Sequence, residues 1–159
     1  MLETVLIVDD EQLIRKTMIK MIETNNTGWE VVGEASNGLE ALDLIAELEP
    51  ELVITDIRMP QMDGLSLVEA MHHRGDRAKV IILTGYKDFG YAQTALKFGV
   101  IDFLLKPCPE EEVCESLAKV KQTIQQDKEK QQVEQRMSEE TTIRDLLHQL
   151  PVSPDSLQR

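Results

Sequence analysis

Short apolar runs alternate with longer amphipathic stretches along residues 1–124. The apolar runs are rich in β-branched residues and predict five strands, at Thr4–Val8, Val31–Val32, Leu52–Thr55, Val80–Leu83 and Val100–Leu105. Between them, apolar residues recur at the spacing of one helical face, which predicts five helices, at Glu11–Ile22, Leu39–Leu48, Leu65–Met71, Tyr91–Phe98 and Val113–Ile124. Gly99 follows the fourth predicted helix, and a glycine in that place is typical of a helix end.

Five strands that alternate with five helices predict an α/β fold with a parallel sheet, right-handed crossovers and helices on both faces. Thr4–Val8 and Val80–Leu83 are almost continuously apolar, which is typical of strands inside such a sheet. Val31–Val32 is short and precedes polar residues, which indicates an edge strand. These positions match a flavodoxin-like, doubly wound sheet of five βα units with strand order 2-1-3-4-5, although the pattern alone does not determine the full order.

The composition changes after Ile124. Residues 125–136 contain a single apolar residue and no Gly or Pro, so this stretch favours a helix but has little to bury. An apolar stripe resumes at Val133 and Met137 and continues to Leu150. We therefore expect a folded domain over 1–124 and a helical extension over 125–159. The extension is either a solvated linker or a helix that pairs with a second copy of the chain.

The composition also restricts the partners of the protein. Of its 159 residues, 17 are Lys or Arg and 29 are Asp or Glu, which gives a formal net charge of -12. A surface of this charge repels phosphate backbones and anionic lipids, so we expect this chain to contact neither nucleic acid nor membrane. The apolar runs are too short to span a bilayer. The two cysteines do not form a disulfide framework, and they favour a reducing, cytoplasmic location.

Side chains with useful chemistry follow four of the five predicted strands. Asp9 and Asp10 follow the first strand, Asp56 the third, Thr84 the fourth and Lys106 the fifth. The carboxyl ends of parallel strands meet at one edge of a sheet, and ligands bind there in doubly wound folds. We therefore expect these side chains to converge on one site.

The residue types at this edge indicate phosphoryl chemistry. Three crowded carboxylates repel one another, and a hard cation that prefers oxygen ligands, such as Mg²⁺, relieves the repulsion. The ammonium of Lys106 and the hydroxyl of Thr84 suit the charge that develops on a transferring phosphoryl group. Neither a cysteine nor an activated serine stands at these strand ends, so the candidate nucleophile is a carboxylate. Asp56 is central in the edge and is our choice.

The same residues allow other interpretations. An Asp after a strand is commonly the N-cap of the next helix. A phosphohydrolase with an aspartyl-phosphate intermediate uses a similar set, but it usually has a second acid two residues after its nucleophile, where Arg58 stands here. A flavodoxin-like cofactor binder needs a phosphate-binding loop after the first strand. The acidic run at 9–11 would repel that phosphate.

Four motifs resemble the receiver domain of bacterial response regulators. They are VLIVDDE at Val5–Glu11, DIRMPQMDG at Asp56–Gly64, the Thr84–Gly85 pair and LLKP at Leu104–Pro107. The resemblance covers about residues 4–124. It implies that Asp56 is the phosphoacceptor for a sensor histidine kinase. It also implies that Asp9 and Asp10 are the acidic pair beside Mg²⁺, with Asp10, Asp56 and the main-chain carbonyl of Arg58 as direct ligands.

The same resemblance implies a conformational switch. Thr84 and Lys106 would grip the phosphoryl group, and Phe103, three residues before the lysine, would be the switch aromatic. A phenylalanine there, rather than the frequent tyrosine, cannot make a hydroxyl hydrogen bond. The family's cis bond would fall at Lys106–Pro107. A homodimer is expected through the fourth helix, fifth strand and fifth helix, or through the helical extension.

The stretch from Thr84 to Pro107 is similar to receivers that are attached to DNA-binding domains of the AraC type. Such a domain would need about a hundred further residues with basic recognition helices, which this chain does not contain. We therefore expect a receiver and linker of a longer transcription factor that touches DNA only through a missing C-terminal domain. The alternative is a stand-alone regulator. Either would be a signalling switch that catalyses only its own phosphoryl transfer and dephosphorylation.

Overall fold

Five parallel strands form the centre of the fold. The computed structural model describes residues 2–85, 90, 93 and 95–149. The strands are β1 (Glu3–Val8), β2 (Trp29–Ala35), β3 (Leu52–Asp56), β4 (Lys79–Thr84) and β5 (Val100–Leu105). They form one sheet in the order β2-β1-β3-β4-β5, and every neighbouring pair is parallel. The predicted flavodoxin-like α/β fold and its strand order 2-1-3-4-5 are confirmed.

Helices connect these strands. They are α1 (Gln12–Thr24), α2 (Gly38–Leu48), α3 (Gly64–Arg74), a 3-10 helix (Ala95–Phe98) and the C-terminal helix (Glu110–Gln149). The predicted fourth helix at Tyr91–Phe98 lies partly outside the described residues, and its last four residues form the 3-10 helix. Gly99 follows with a φ of 88°. This left-handed conformation carries no steric cost for glycine, and it ends the helix as predicted.

Apolar residues cover both faces of the sheet. All five residues of β3 are buried. On one face, Leu6 and Val53 pack in a cluster with buried residues of α2 and α3. Their neighbours Val5 and Ile54 point to the opposite face and are buried as well. This two-sided burial explains why the inner strands are nearly continuous apolar runs.

The second strand is longer than the sequence pattern indicated. It spans Trp29–Ala35 rather than Val31–Val32, and only its first and last residues are buried. It pairs with β1 alone at one edge of the sheet, as expected. Because an edge strand is covered less completely, exposed residues such as Glu30 interrupt its apolar pattern. The predicted position was therefore right and the predicted length was too short.

The chain divides into two compact units, Met1–Lys121 and Gln122–Arg159. The sheet belongs to the first unit, and the C-terminal helix includes residues of both units. The described part of the second unit, residues 122–149, is entirely helical. The predicted division at residues 124 and 125 stays a prediction. Across the part of the chain that the structure describes, no helix combines the length and the apolar character needed to cross a membrane.

Candidate phosphoryl-acceptor site

The pairing of β1 with β3 places two acidic residues side by side. Val8 pairs with Thr55 in the parallel register. Asp9 directly follows Val8, and Asp56 directly follows Thr55. The two acids therefore lie at the same level at the carboxyl edge of the sheet. Both are almost completely buried, with 2% and 8% of their surface exposed.

Asp10 completes a cluster of three carboxylates. One oxygen from each of Asp9, Asp10 and Asp56 lies within 4.8 Å of the other two. Asp10 itself is exposed, so the cluster opens to solvent on that side. Oxygen ligands at this spacing fit a hard divalent cation, which binds carboxylates and keeps open positions for water and phosphoryl oxygens. The cluster is therefore compatible with a metal site.

Lys106 bridges the two buried carboxylates. Its Nζ donates to Oδ2 of Asp9 at 2.8 Å and to Oδ2 of Asp56 at 2.9 Å. The side chain of Lys106 is 21% exposed, and that of Asp56 is 11% exposed. Partial burial strengthens this ion pair relative to one on an open surface. The lysine thus supplies a positive charge at the point where two negative charges meet.

Burial and the ion pair act in opposite directions on these groups. Burial raises the pKa of Asp56, and the hydrogen bond and charge of Lys106 offset only part of that rise. Burial on its own would lower the pKa of Lys106, but its bonds to Asp9 and Asp56 outweigh burial and raise that pKa. Lys106 is therefore charged at neutral pH. The ionisation of Asp56 depends on the positive charge beside it.

Backbone amides fix the orientation of both buried acids. The N–H of Ile57 donates to Oδ1 of Asp56 at 2.7 Å. In the same way, the N–H of Glu11 donates to Oδ1 of Asp9 at 2.9 Å. Each carboxylate therefore uses one oxygen to hold its loop and presents the other to Lys106. An acid held in this way is preorganised for attack or for metal binding.

Thr84 lies at the end of the adjacent strand and is fully buried. Its hydroxyl donates to the carbonyl of Gly85 at 3.1 Å, and its own carbonyl accepts from the N–H of Lys106 at 2.8 Å. Thr84 thus joins the ends of β4 and β5 beside the acid cluster. The Lys106–Pro107 peptide bond that follows is cis. The structure brings Asp9, Asp10, Asp56 and Lys106 together, with Thr84 on the neighbouring strand.

A profile of the response regulator receiver domain matches residues 5–118, which is most of the chain. The chain belongs to the response regulator receiver family. This match agrees with the fold and with the acidic edge described above. The family assignment made from the sequence motifs is therefore confirmed.

The receiver is similar to curated transcriptional regulators. It is 40% identical over 116 residues to the uncharacterized transcriptional regulatory protein YesN of Bacillus subtilis, a match that covers 73% of this chain and 32% of YesN. It is 42% identical over 103 residues to the transcriptional regulatory protein HptR of Staphylococcus aureus, a match that covers 65% of this chain and 40% of HptR. The chain thus matches about a third to two-fifths of the length of these relatives.

Solved receivers have the same fold. The REC domain of AraT, a response regulator from Geobacillus stearothermophilus, superposes with a TM-score of 0.75 at 39% identity. That comparison covers 80% of this chain and 99% of the AraT chain. A two component transcriptional regulator AraC from Clostridium phytofermentans gives 0.71 at 33% identity, covering 78% and 96% of the two chains. These names are consistent with a signalling protein rather than a metabolic enzyme.

Gly64 supports the receiver's site in a way that the sequence analysis did not foresee. A Cβ atom at Gly64 would lie 2.0 Å from the carbonyl oxygen of Asp56. The N–H of Gly64 donates to the carbonyl of Ile57 at 2.7 Å, which closes the loop after β3. The glycine is therefore required by close backbone approach. The Asp63–Gly64 pair was the sequence signal that could have indicated a tight turn here. Asp63 caps the start of α3 by accepting from the N–H of Ser66.

Arg15 supports the loop that carries Asp9. Its Nη1 donates to the carbonyl of Asp9 at 2.7 Å, and its Nε donates to Glu34 of β2 at 2.9 Å. The side chain of Arg15 is 13% exposed and that of Glu34 is 44% exposed, so the bond to Asp9 is the better shielded of the two. No sequence signal pointed to it, because the three residues come from different elements and are joined only by the fold.

The roles of the remaining two predicted residues, Phe103 and Arg58, stay predictions. Phe103 is half-buried on β5 and packs against the core cluster beneath α2 and α3. Arg58 is exposed in the loop two residues after Asp56. That loop position is the one at which the receiver resemblance implies a carbonyl ligand for the cation.

Proposed function

We propose that this receiver accepts a phosphoryl group on Asp56 from the phosphohistidine of a sensor histidine kinase, with Mg²⁺ bound beside it. The observation that carries the proposal is the bridge from Lys106 to Asp9 and Asp56. Through this bridge, the ammonium of Lys106 lies within hydrogen-bonding distance of both buried carboxylates. Asp10 adds an exposed oxygen ligand to the same cluster.

The transfer needs no general base. An oxygen of Asp56 attacks phosphorus in line with the P–N bond of the phosphohistidine. A P–O bond forms as the P–N bond breaks, and the imidazole nitrogen keeps the bonding electron pair. The attacking carboxylate has no proton to lose, which suits the absence of a histidine at the sheet edge among the described residues. Lys106 is placed to stabilise the charge on the phosphoryl oxygens.

The cation would be held by the chain's own oxygen ligands. We assign Asp10, Asp56 and the main-chain carbonyl of Arg58 as direct ligands, and Asp9 as the acid that supports them. When bound, Mg²⁺ neutralises charge on the phosphoryl oxygens as they approach Asp56. Asp9 and Asp56 are already oriented by backbone N–H groups, so forming such a site mainly requires Lys106 to release the Oδ2 atoms that it now holds.

Phosphorylation would be detected by Thr84 and Phe103. The Thr84 hydroxyl, which donates to Gly85 in this structure, would turn towards the new phosphoryl oxygens. Its movement would make room for Phe103 to follow behind it. The surface of the last strand and the adjoining helices would change as a result. A local charge then biases a two-state element, which is the general logic of such switches.

The regulated output is proposed to be transcription. The proposal is supported by two relatives that are named as transcriptional regulatory proteins. The chains of both relatives extend well beyond the matched region. The chain would act as the receiver and linker of a longer cytoplasmic protein, with DNA contact made by an AraC-type domain that follows it. The alternative is a receiver that acts without an attached domain. The open reading frame beyond residue 159 discriminates between the two.

The test of this function is labelling of the purified chain with acetyl phosphate and Mg²⁺, followed by intact-mass measurement. The wild type is expected to gain one phosphoryl group, and Asp56→Asn none. Asp43→Asn, which changes an exposed acid on α2, is the matched control and should label like the wild type. Labelling of Asp56→Asn at another residue would reject the assignment. Turnover of small phosphate esters would instead favour the phosphohydrolase.

A further inference from the structure

Asp102 ties β5 to the C-terminal helix. Its Oδ1 accepts from the N–H of Phe103 at 2.9 Å, and its Oδ2 accepts from the hydroxyl of Ser116 at 2.7 Å. Ser116 is 2% exposed. Because water cannot easily reach this hydroxyl, the loss of Asp102 would leave it without a ready replacement partner. The contact therefore restrains both elements.

The register of β5 shifts where Asp102 enters the sheet. Val80 pairs with Val100, whereas Ile81 pairs with Asp102, so Ile101 is an extra residue in β5. Such a bulge interrupts the regular ladder and redirects the side chains that follow. The sheet order places β5 at an edge, next to β4. The strand that carries the switch aromatic is thus held less regularly here than the inner strands are.

Asp102 and Phe103 face opposite sides of the sheet, as successive strand residues do. Phe103 packs against the core cluster beneath α2 and α3. Asp102 reaches the C-terminal helix on the other side. Because one oxygen of Asp102 accepts from the backbone N–H of Phe103, a displacement of the β5 backbone at Phe103 moves the carboxylate that Ser116 binds.

The single tryptophan of the protein, Trp29, is hydrogen-bonded to the same part of the helix. The indole Nε1 of Trp29 donates to the carbonyl of Leu117 at 3.1 Å, one residue after Ser116. Trp29 is 3% exposed. Its fluorescence therefore reports changes in the helix next to the contact between Asp102 and Ser116.

We propose that the Asp102–Ser116 hydrogen bond restrains the switch and transmits its movement to the C-terminal helix. It holds the β5 backbone at Phe103 in the position seen here and weakens when that backbone shifts with the movement of the Phe103 side chain. This inference rests on the proposed phosphorylation of Asp56. Asp102 and Ser116 are positioning residues, because they act through Phe103 rather than on the phosphoryl group. Coupling between two sites is reciprocal, so loss of the bond must favour the phosphorylated conformation.

The test is a titration with beryllofluoride, a phosphoryl mimic, in the presence of Mg²⁺. Fluorine NMR measures binding, and Trp29 fluorescence measures the response of the helix. Ser116→Ala is expected to bind about fivefold more tightly than the wild type, as loss of one hydrogen bond predicts. It should also show a smaller fluorescence change. Asp102→Asn, which retains a single acceptor oxygen, should shift both readouts in the same direction.

Ser138→Ala, on the exposed surface of the same helix, is the matched control and should behave like the wild type. Unchanged or weaker binding by Ser116→Ala and Asp102→Asn, with normal wild-type binding, overturns this inference and leaves the proposed function standing. A merely structural contact would give that result together with lower stability. If Ser116→Ala does not fold, Asp102→Asn decides. A wild type that fails to bind beryllofluoride rejects both proposals.

Discussion

The acidic edge of the sheet and the outer helix (residues 125–149) differ in how far contacts within the chain satisfy their side chains. At the edge, Lys106 satisfies two buried carboxylates, and backbone amides orient them. In the outer helix, Met137 and Leu147 are 63% and 61% exposed. A largely polar helix of this kind is marginal in water without tertiary contacts. The first region is stabilised by contacts within the chain, whereas the second leaves its apolar side chains exposed.

The largest expected effect separates the buried part of the C-terminal helix from the outer helix. Leu117→Ala removes a side chain that is 1% exposed, so we expect the free energy of unfolding to fall by about 3 kcal/mol. Leu147→Ala, the same change at an exposed site, should alter it by less than about 0.5 kcal/mol. Urea unfolding followed by the buried Trp29 measures both. Equal effects would contradict the contrast between the two regions.

A second effect, at the acidic edge, concerns the competition between Lys106 and a metal ion. Lys106→Met removes the charge that now occupies the oxygens of Asp9 and Asp56, so we expect Mg²⁺ to bind roughly tenfold more tightly at neutral pH. Calorimetric titration measures the affinity. Lys20→Met, an exposed lysine of α1, is the matched control. Weaker binding in Lys106→Met would show that the lysine does not compete with the ion.

The same variant has a predicted pH dependence. Burial raises the pKa of Asp56 and Lys106 opposes that rise, so removing the lysine raises the pKa further. Mg²⁺ binds the ionised carboxylate, and its affinity therefore falls as the pH drops through that pKa. The fall should occur at a higher pH in Lys106→Met than in the wild type, and the reverse order would contradict the assigned direction.

The smallest expected effect is weak self-association through the outer helix. Val133, Met137 and Leu147 are exposed apolar residues on this helix. Burying such a stripe against a second copy would stabilise it. Sedimentation of the wild type is expected to show a concentration-dependent dimer that Met137→Lys weakens. The exposed change Gln131→Lys is the control. A wild type that stays monomeric, with and without beryllofluoride, would reject a homodimer through either proposed face.

The sheet could be predicted because burial on two faces leaves a clear mark in the sequence. The inner strands appear as apolar runs, and their alternation with helices indicates a parallel sheet. The full strand order came from the structure. The edge strand β2 was recognised only at Val31–Val32, because exposed residues such as Glu34 break its pattern. The apolar spacing around Tyr91 predicted a helix, and part of that segment lies outside the described residues. A strand is therefore easier to recognise from its apolar pattern when it is more completely buried.

The site could be anticipated where one topological rule applies. Parallel strands end at one edge, so Asp9, Asp56 and Lys106 had to approach one another if the sheet was correct. The supporting contacts could not be foreseen. The bonds from Arg15 to Asp9 and from Ser116 to Asp102 join elements whose relative placement only the folded chain defines. The roles of the site residues in phosphoryl transfer stay predictions.

The most direct test of the central claim is to locate the phosphoryl group in the wild-type chain. Borohydride reduction converts an aspartyl phosphate to homoserine, and peptide mass spectrometry then identifies the modified position. After treatment with acetyl phosphate and Mg²⁺, we predict homoserine at residue 56 and a marked loss of labelling when Mg²⁺ is chelated. Homoserine at position 9 or 10, or labelling that persists without Mg²⁺, would contradict the account.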